Sequence, residues 1–484
     1  MRFRCPGRAR NHGANMETCN RNRLEGIRLR LASSLLMLLV CTACYHLPAP
    51  AGRSDSATSE NLDEYMTALS GAGRFDGAVL VARNDVVLLS KGYGTANYEF
   101  SVPATSRTVF PIGSNTKQFT AAAIMKLQEQ GRLDIDDPVT QYVADAPGWE
   151  NIRIRHLLNH TSGIPSEGAY STTDPDLISL PELVKRIVAL PLTFEPGEGK
   201  TYSNNGYITL SYIIEKASGM SYEEYLRKNI FRPLEMSGTG QDNSRDVFAN
   251  RASGYTTMAG KHIHYEPQNT HNRYGAGSLH STTEDLFRWL RAFHTSETIL
   301  SSQSSRVMVD NDFGIVKAEM DGRTVIGHGG RAVGFISYTL YFPNEGVSII
   351  FLSNHDRTPM AILPKDLATI VFGKPCPVPK TIERQSVSLD TKAMAQYPGT
   401  YAMEWEKSWT YKVFLKEGRL FYASTFPHET VELFPEGDDI FFVTPESTDS
   451  FIFTRDKNGQ IDGLKMSTLG GVADKAVRLT STAE

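Results

Sequence analysis

The sequence predicts an α/β protein of the α+β kind, in which an antiparallel sheet is flanked by helices and a barrel-like all-β domain follows. Three observations carry this. Strand-turn-strand patterns lie at 77–90 and 334–352. Helical patterns dominate the stretch between them. After Leu389 the texture changes to hairpin after hairpin with alternating aromatics.

Taken in order, Ala78-Val79-Leu80-Val81 and Val86-Val87-Leu88-Leu89 flank a turn at Arg83-Asn84-Asp85. Thr116 to Gln130 reads as a helix with Gly131 as its C-terminal stop. Asn205–Ala217 (stopped by Gly219), Tyr222–Ile230 and Thr283–Phe293 are further helices. Gly334–Phe342 and Val347–Leu352 form the second hairpin around Pro343-Asn344-Glu345-Gly346. Strands at both ends with helices between imply one sheet closed by the two chain ends. Lys374-Pro375-Cys376-Pro377-Val378-Pro379-Lys380 reads as part of a linker. The expected division is therefore 1–44 as an export segment, 45–62 as a tether, 63–372 as the main domain, 373–388 as the linker and 389–484 as the β domain.

Composition narrows the function. The chain has 484 residues, 40% hydrophobic and 21% charged, with a formal charge of −4. Residues 1–30 hold eight arginines and two acids, and no charge occurs from Leu31 to Cys44. Without residues 1–43 the charge falls to −10, which disfavours nucleic-acid binding because phosphate contacts need clustered cations. The basic segment followed by a short apolar run has signal-peptide architecture. Val40-Cys41-Thr42-Ala43-Cys44 resembles a bacterial lipoprotein box, so Cys44 is the expected lipidation site and the membrane attachment. Cleavage after Ala49-Pro50-Ala51 is the competing route. Either way the protein is expected to be exported, as a periplasmic or membrane-anchored protein of the bacterial cell envelope. Of five cysteines only Cys376 lies beyond the export segment, so no internal disulfide framework and no cysteine-based metal site is expected.

Three motifs carry chemistry. Ser114 and Lys117, in Gly113-Ser114-Asn115-Thr116-Lys117, share one face at the start of the strongest helix. The helix N-terminus favours an incipient alkoxide, and the amine can take the serine proton if its surroundings lower its pKa. The competing reading is a capping serine beside a solvated lysine. Tyr202-Ser203-Asn204 opens another helix. Near Lys117 the phenol could act as a base, and Asn204 could orient substrate and Lys117. Alternatively, both are ordinary buried and capping residues. Gly327-His328-Gly329-Gly330 precedes the strand Gly334–Phe342, and its glycines let the backbone approach a ligand. His262, His264 and His271 could suggest a metal, but no carboxylate spacing supports one, and neither metal nor cofactor is expected. No Gly-x-Ser-x-Gly elbow is present.

In combination and order, these motifs resemble the β-lactamase-related serine hydrolases: class C β-lactamases, DD-carboxypeptidases, D-aminopeptidases and related esterases. His156 to Pro165 (HLLNHTSGIP), Phe194-Glu195-Pro196-Gly197 and Gly275-Ala276-Gly277-Ser278-Leu279 look like the same family. The C-terminal stretch is similar to the lipocalin-like domain that often follows. The resemblance implies a β-lactamase/transpeptidase-like fold with Ser114 as nucleophile and Lys117 and Tyr202 as its acid/base pair. It also implies a substrate-positioning side-chain amide at Asn204, a strand at His328, Gly329 and Gly330, and an oxyanion hole from the N–H groups of Ser114 and Arg331. The third motif departs from the Lys-Thr-Gly of β-lactamases: His328 stands for Lys and Gly329 for Thr. That favours an esterase, amidase or peptidase acting on small-molecule or peptide substrates of D-amino-acid type, with Arg331 restoring a cation. A true β-lactamase or DD-carboxypeptidase is the alternative. A non-catalytic sensor of peptidoglycan or β-lactams is the alternative of another class.

Overall fold

The computed structural model describes residues 53–171, 176–242, 246–258, 261–265, 269–356, 358–380, 384–404, 410–425, 428–443, 445, 449–468 and 471–479. The export segment, Cys44 and the start of the expected tether lie outside the described residues.

The chain enters through helix α1 (Arg53–Gly71), then β1 (Gly77–Arg83) and β2 (Val86–Tyr93). Helix α1 begins well before the expected start of structure at Leu62. Leu62, Tyr65, Met66 and Leu69 fall on one helical face and are buried, and an Asp55–Arg83 ion pair of 3.0 Å ties the first turns to β1. The hairpin turn is as expected: Asn84 and Asp85 both have positive φ, the geometry that matches strand twist.

Helices α2 (Thr116–Glu129), α3 (Asn204–Ser218) and α4 (Thr283–Thr295) belong to the central helical stretch. Gly131 and Gly219 stop α2 and α3 in the left-handed region, at φ 64° and 74°. Strands β3 (Val316–Met320), β4 (Arg323–Ala332), β5 (Phe335–Phe342) and β6 (Val347–Ser353) follow, then α5 (Leu363–Val371). The six strands form one sheet in the order β3-β4-β5-β6-β1-β2. β1 pairs antiparallel with β6 from Gly77↔Ser353 to Arg83↔Val347, so the two ends of the domain close the sheet.

Both faces of that sheet are covered. Ala78, Leu80 and Ala82 of β1 join the core that contains Phe119 and Ala122 of α2. Val79 and Val81 join a second core with Leu62 and Met66 of α1 and Leu363 and Leu367 of α5. The alternation is what a two-layered covering of a pleated strand requires. The run Thr116–Ala123 of α2 is buried residue by residue, so this helix is surrounded by protein rather than lying on the surface.

The glycine-rich third motif lies within β4, in agreement with the strand that the family resemblance implies at His328, Gly329 and Gly330. Gly327 pairs with Leu340 and Gly330 with Ser337 of β5. Glycines hide a strand because they lack the side chains by which strands are recognised.

After the linker, β7 (Gly399–Met403), β8 (Thr410–Lys416), β9 (Arg419–Thr425), β10 (His428–Gly437), β11 (Ile440–Phe442), β12 (Asp449–Arg455), β13 (Ile461–Thr468) and β14 (Gly471–Arg478) form a closed barrel. β14 pairs back onto β7. Tyr401, Phe441, Phe451 and Phe453 belong to its own buried cluster.

A polar network joins α2 to the sheet. Asn115 donates from Nδ2 to Ser337 Oγ at 2.6 Å and accepts at Oδ1 from Gln118 at 2.7 Å and Thr339 at 2.7 Å. Ser337 donates onward to the Ile112 carbonyl at 2.6 Å, and Trp289 donates to Gln118 Oε1 at 3.1 Å. Asn115 is completely buried. Asn115→Ala would strand these partners, and unfolding in urea should show a loss of about 3 kcal/mol, since each abandoned buried polar group costs roughly 1–3 kcal/mol.

Candidate active site

Ser114 sits in a single 3-10 turn, Gly113–Asn115, that runs directly into α2. Gly113 takes φ 49°, and a Cβ there would lie 2.7 Å from the Arg331 carbonyl oxygen. The tight approach brings the turn against the backbone of β4. Gly330 is closer still: a Cβ would lie 2.0 Å from the Ile112 carbonyl oxygen and 2.3 Å from Ser337 Oγ. The third motif thus needs glycine for backbone contact with the serine turn.

Lys117 follows one turn later and has no solvent exposure. Its Nζ donates to the Ala276 carbonyl at 2.7 Å and to Asn204 Oδ1 at 2.9 Å, and stands 3.3 Å from Ser114 Oγ. The Tyr202 hydroxyl is 2.7 Å from Ser114 Oγ. The Lys117 amine also lies over the Tyr202 ring, 4.6 Å from its centre.

Local chain chemistry places these groups. Ser203 caps α3 by accepting from the Gly206 N–H at 3.0 Å, which sets Tyr202 just before the helix and Asn204 at its first position. The Ser203 N–H donates to His160 Nδ1 at 3.1 Å. The His160 ring packs 4.6 Å from that of Tyr202. His160 thereby fixes the start of α3 by a hydrogen bond. Ala276 lies in a turn where its own N–H and that of Gly277 both donate to the Arg273 carbonyl at 2.9 Å.

Burial acts oppositely on the two titratable partners of Ser114. It pushes Lys117 well below its ordinary value, with the Arg273 charge adding to the effect and Glu167 opposing it. It pushes Tyr202 up to about 12, although 43% of that side chain remains open to the cleft; the Ser114 hydrogen bond and Arg273 pull the other way. Burial, with Lys117 nearby, holds His328 down at about 4 and His160 at about 3. His328 is therefore neutral at pH 7, and its Nδ1 is engaged with the Gly329 carbonyl. The Arg331 guanidinium is exposed and reaches Met360 Sδ at 3.6 Å.

Four neighbours carry no sequence motif. Asn204 Nδ2 donates to Glu167 Oε1 at 2.9 Å and lies 3.3 Å from Ser166 Oγ. Tyr170 and Arg273 stand close enough to act on the Tyr202 hydroxyl. A signal existed in position only: Ser166-Glu167 directly follows the HLLNHTSGIP stretch, and Arg273 directly precedes Tyr274-Gly275-Ala276-Gly277. The three histidines weighed for metal binding make other contacts. His262 stacks on Tyr98 at 3.9 Å, His264 meets Tyr255 edge-on at 5.3 Å, and His271 bonds to the Tyr274 hydroxyl.

An antiparallel sheet closed by the chain ends, with a helical region inserted and a lysine buried beneath a serine, defines the β-lactamase/transpeptidase-like class. The chain belongs to the Beta-lactamase family, whose model matches residues 61–369. That fold family consists generally of serine hydrolases. Over 416 residues the chain is 28% identical to penicillin-binding protein 4* of Bacillus subtilis (strain 168), covering 79% of this chain and 91% of that protein. Two solved structures share the fold. The octameric penicillin-binding protein homologue from Pyrococcus abyssi has a TM-score of 0.57 at 24% identity, covering 88% of this chain and all of that one (100%). The D-amino acid amidase from Ochrobactrum anthropi SV3 has a TM-score of 0.59 at 23% identity, covering 65% of this chain and 99% of that one.

Gly330→Ala forces a Cβ into the Ile112 carbonyl. The expected result is a loss of about 2 kcal/mol or more in chemical denaturation, in the range of overpacked cores, because β4 must retreat from the serine turn.

Proposed function

We propose that the protein is a serine hydrolase that cleaves esters or amides through an acyl-enzyme on Ser114, with D-amino-acid peptides or esters as its substrate class. The observation that carries this is the set of contacts at Lys117 Nζ. Two strong acceptors, the Ala276 carbonyl and Asn204 Oδ1, take two N–H bonds at 2.7 and 2.9 Å. The third direction, longer at 3.3 Å, faces Ser114 Oγ. A neutral amine held in this way aims its lone pair at the serine proton. Burial favours the neutral form, and the Tyr202 phenol, held above its usual pKa, keeps its proton for delivery.

The reaction follows from this geometry. Ser114 Oγ attacks the substrate carbonyl while its proton passes to Lys117 Nζ. The oxyanion is met by the backbone N–H groups of Ser114 and Arg331, which the close contact of Gly113 with β4 brings together. Tyr202 donates to the leaving oxygen or nitrogen as the carbonyl–leaving-group bond breaks, and recovers a proton from Lys117. Water then attacks the ester by the same path in reverse, releasing the acid and restoring Ser114. Lys117 and Tyr202 exchange one proton through Ser114 and titrate as a unit.

The third motif shapes the substrate. A neutral His328 puts no charge at the third-motif position where β-lactamases carry their lysine, which disfavours the β-lactamase reading. The fold shared with a D-amino acid amidase and the identity with a penicillin-binding protein support the D-amino-acid class. The basic, then apolar, N-terminus supports export to the cell envelope, with a lipid on Cys44 as the anchor.

A fluorophosphonate probe should label Ser114 in the native protein and nothing in Ser114→Ala or Lys117→Met. A nitrophenyl ester and a D-alanyl dipeptide should turn over, and a chromogenic cephalosporin poorly. Labelling without turnover of any of them would favour the sensor; absence of labelling would overturn the hydrolase reading. Tyr202→Phe should retain labelling but lose about 100-fold in kcat, the scale of a missing proton donor.

The pH profile provides a separate check. Activity should rise as Lys117 loses its proton, in a limb that lies below the ordinary lysine value. Glu167 favours the charged amine, so Glu167→Gln should move that limb to lower pH. No limb near the ordinary histidine pKa is expected, because His328 and His160 titrate at about 4 and about 3.

A further inference from the structure

We infer that Arg273 is the anion anchor of the cleft: it holds a carboxylate carried by the substrate close to the scissile carbonyl, in place of the lysine missing from the third motif. The inference deepens the hydrolase reading and rests on it.

The geometry begins with the stem of the arginine. A Cβ on Gly277 would lie 3.5 Å from Arg273 Cδ and 3.6 Å from the Gly113 carbonyl carbon. The side chain thus passes alongside the residue that precedes Ser114. Its backbone is fixed by the turn that delivers the Ala276 carbonyl to Lys117, because the Ala276 and Gly277 N–H groups both bond to the Arg273 carbonyl. The guanidinium is near enough to bias the Lys117 amine and the Tyr202 hydroxyl alike. With its stem beside Gly113, the guanidinium lies in the neighbourhood of Ser114.

The guanidinium interacts with the Tyr170 hydroxyl, which carries no charge to balance it. Arg273 Nε is buried with no hydrogen-bond partner. Among the described residues no carboxylate forms an ion pair with Arg273. Glu167 acts on the same two catalytic groups, yet its carboxylate bonds to Asn204 Nδ2 instead. A half-buried guanidinium with an idle N–H beside a hydrolytic centre is costly to keep unless something pairs with it, and a carboxylate is the group that its planar fork fits.

The other cations do not serve. Lys117 is occupied by Ser114, Asn204 and Ala276. His328 is neutral above about pH 4. Arg331 extends to Met360 on the exposed side. The charge that sequence reasoning sought at Arg331 is thus provided from the loop that precedes Gly275-Ala276-Gly277.

The test compares two pairs of substrates. On the acyl side, a nitrophenyl hemisuccinate is set against nitrophenyl butyrate. On the leaving side, an acyl thioglycolate is set against its methyl ester. The readout is the ratio of kcat/KM for the charged member to that of the neutral member. Loss of Arg273 also lets Lys117 regain basicity, which moves both rates together; the ratio isolates the anchor. In at least one pair, Arg273→Gln should lower the ratio tenfold or more, chiefly through KM, with Arg273→Lys recovering part of it. Thermal unfolding of both variants and fluorophosphonate labelling of Ser114 serve as controls. Unchanged ratios in both pairs, or a fall in Arg331→Gln but not in Arg273→Gln, would overturn the anchor while leaving the hydrolase intact. Native protein whose Ser114 does not label would bring down both readings.

Discussion

The site depends on one unfavourable placement: an amine with no solvent exposure, at the second position of a helix that is itself enclosed. Desolvation of an ammonium there is expensive unless the group gives up its charge or finds oxygen on every side. The fold supplies both conditions. Helix α2 runs between the sheet and the helical region, so its lysine has no solvent exposure. The oxygens arrive from segments 87 and 159 residues further along the chain, at Asn204 and Ala276. The helical stretch therefore does more than cover the sheet; it returns two acceptors to a single nitrogen.

The serine turn is held from below by polar contacts and from the side by glycine. Asn115, Gln118, Ser337 and Thr339 form a buried network with few unspent donors and acceptors, which fixes the beginning of α2 against β5. Gly113 and Gly330 then let two backbones approach at distances that no side chain would allow. The rigidity of the first arrangement gives the second its value, because backbone N–H groups stabilise a developing oxyanion only if they are in place beforehand.

Much of this was legible in the sequence where the signal is local. The β1–β2 and β5–β6 hairpins announce themselves by branched residues around Asn84-Asp85 and Pro343–Gly346, and the helix stops at Gly131 and Gly219 by glycine. Ser114, Lys117, Tyr202 and Asn204 were each ambiguous alone, and the folded chain brings them within hydrogen-bonding reach of one another. What was hidden lacks a local signature. β4 carries glycines where a strand would show side chains, so only the family resemblance, and not the local pattern, pointed to it. Helix α1 begins among Ser, Asp and Ala residues that read as a tether, and is held by an ion pair to a strand it precedes. Glu167 and Arg273 look like solvated loop charges, and their proximity to Lys117 exists only after the helical stretch has packed.

A single cause separates the acid from the base here. Burial disfavours whichever form of a group is charged, so it lowers the lysine and raises the tyrosine at the same time. In the proposed reaction the serine lies between an amine that burial shifts toward its neutral form and a phenol that burial holds protonated. In the proposed acyl transfer charge would arise on Lys117 Nζ, where the Ala276 carbonyl and Asn204 Oδ1 are already positioned and Glu167 bonds to the asparagine. Those acceptors do little for a neutral amine and much more for an ammonium. On the proposed reading, the surroundings of Lys117 suit the charged state of acyl transfer better than the resting one, which is the condition for lowering a barrier instead of merely binding a substrate.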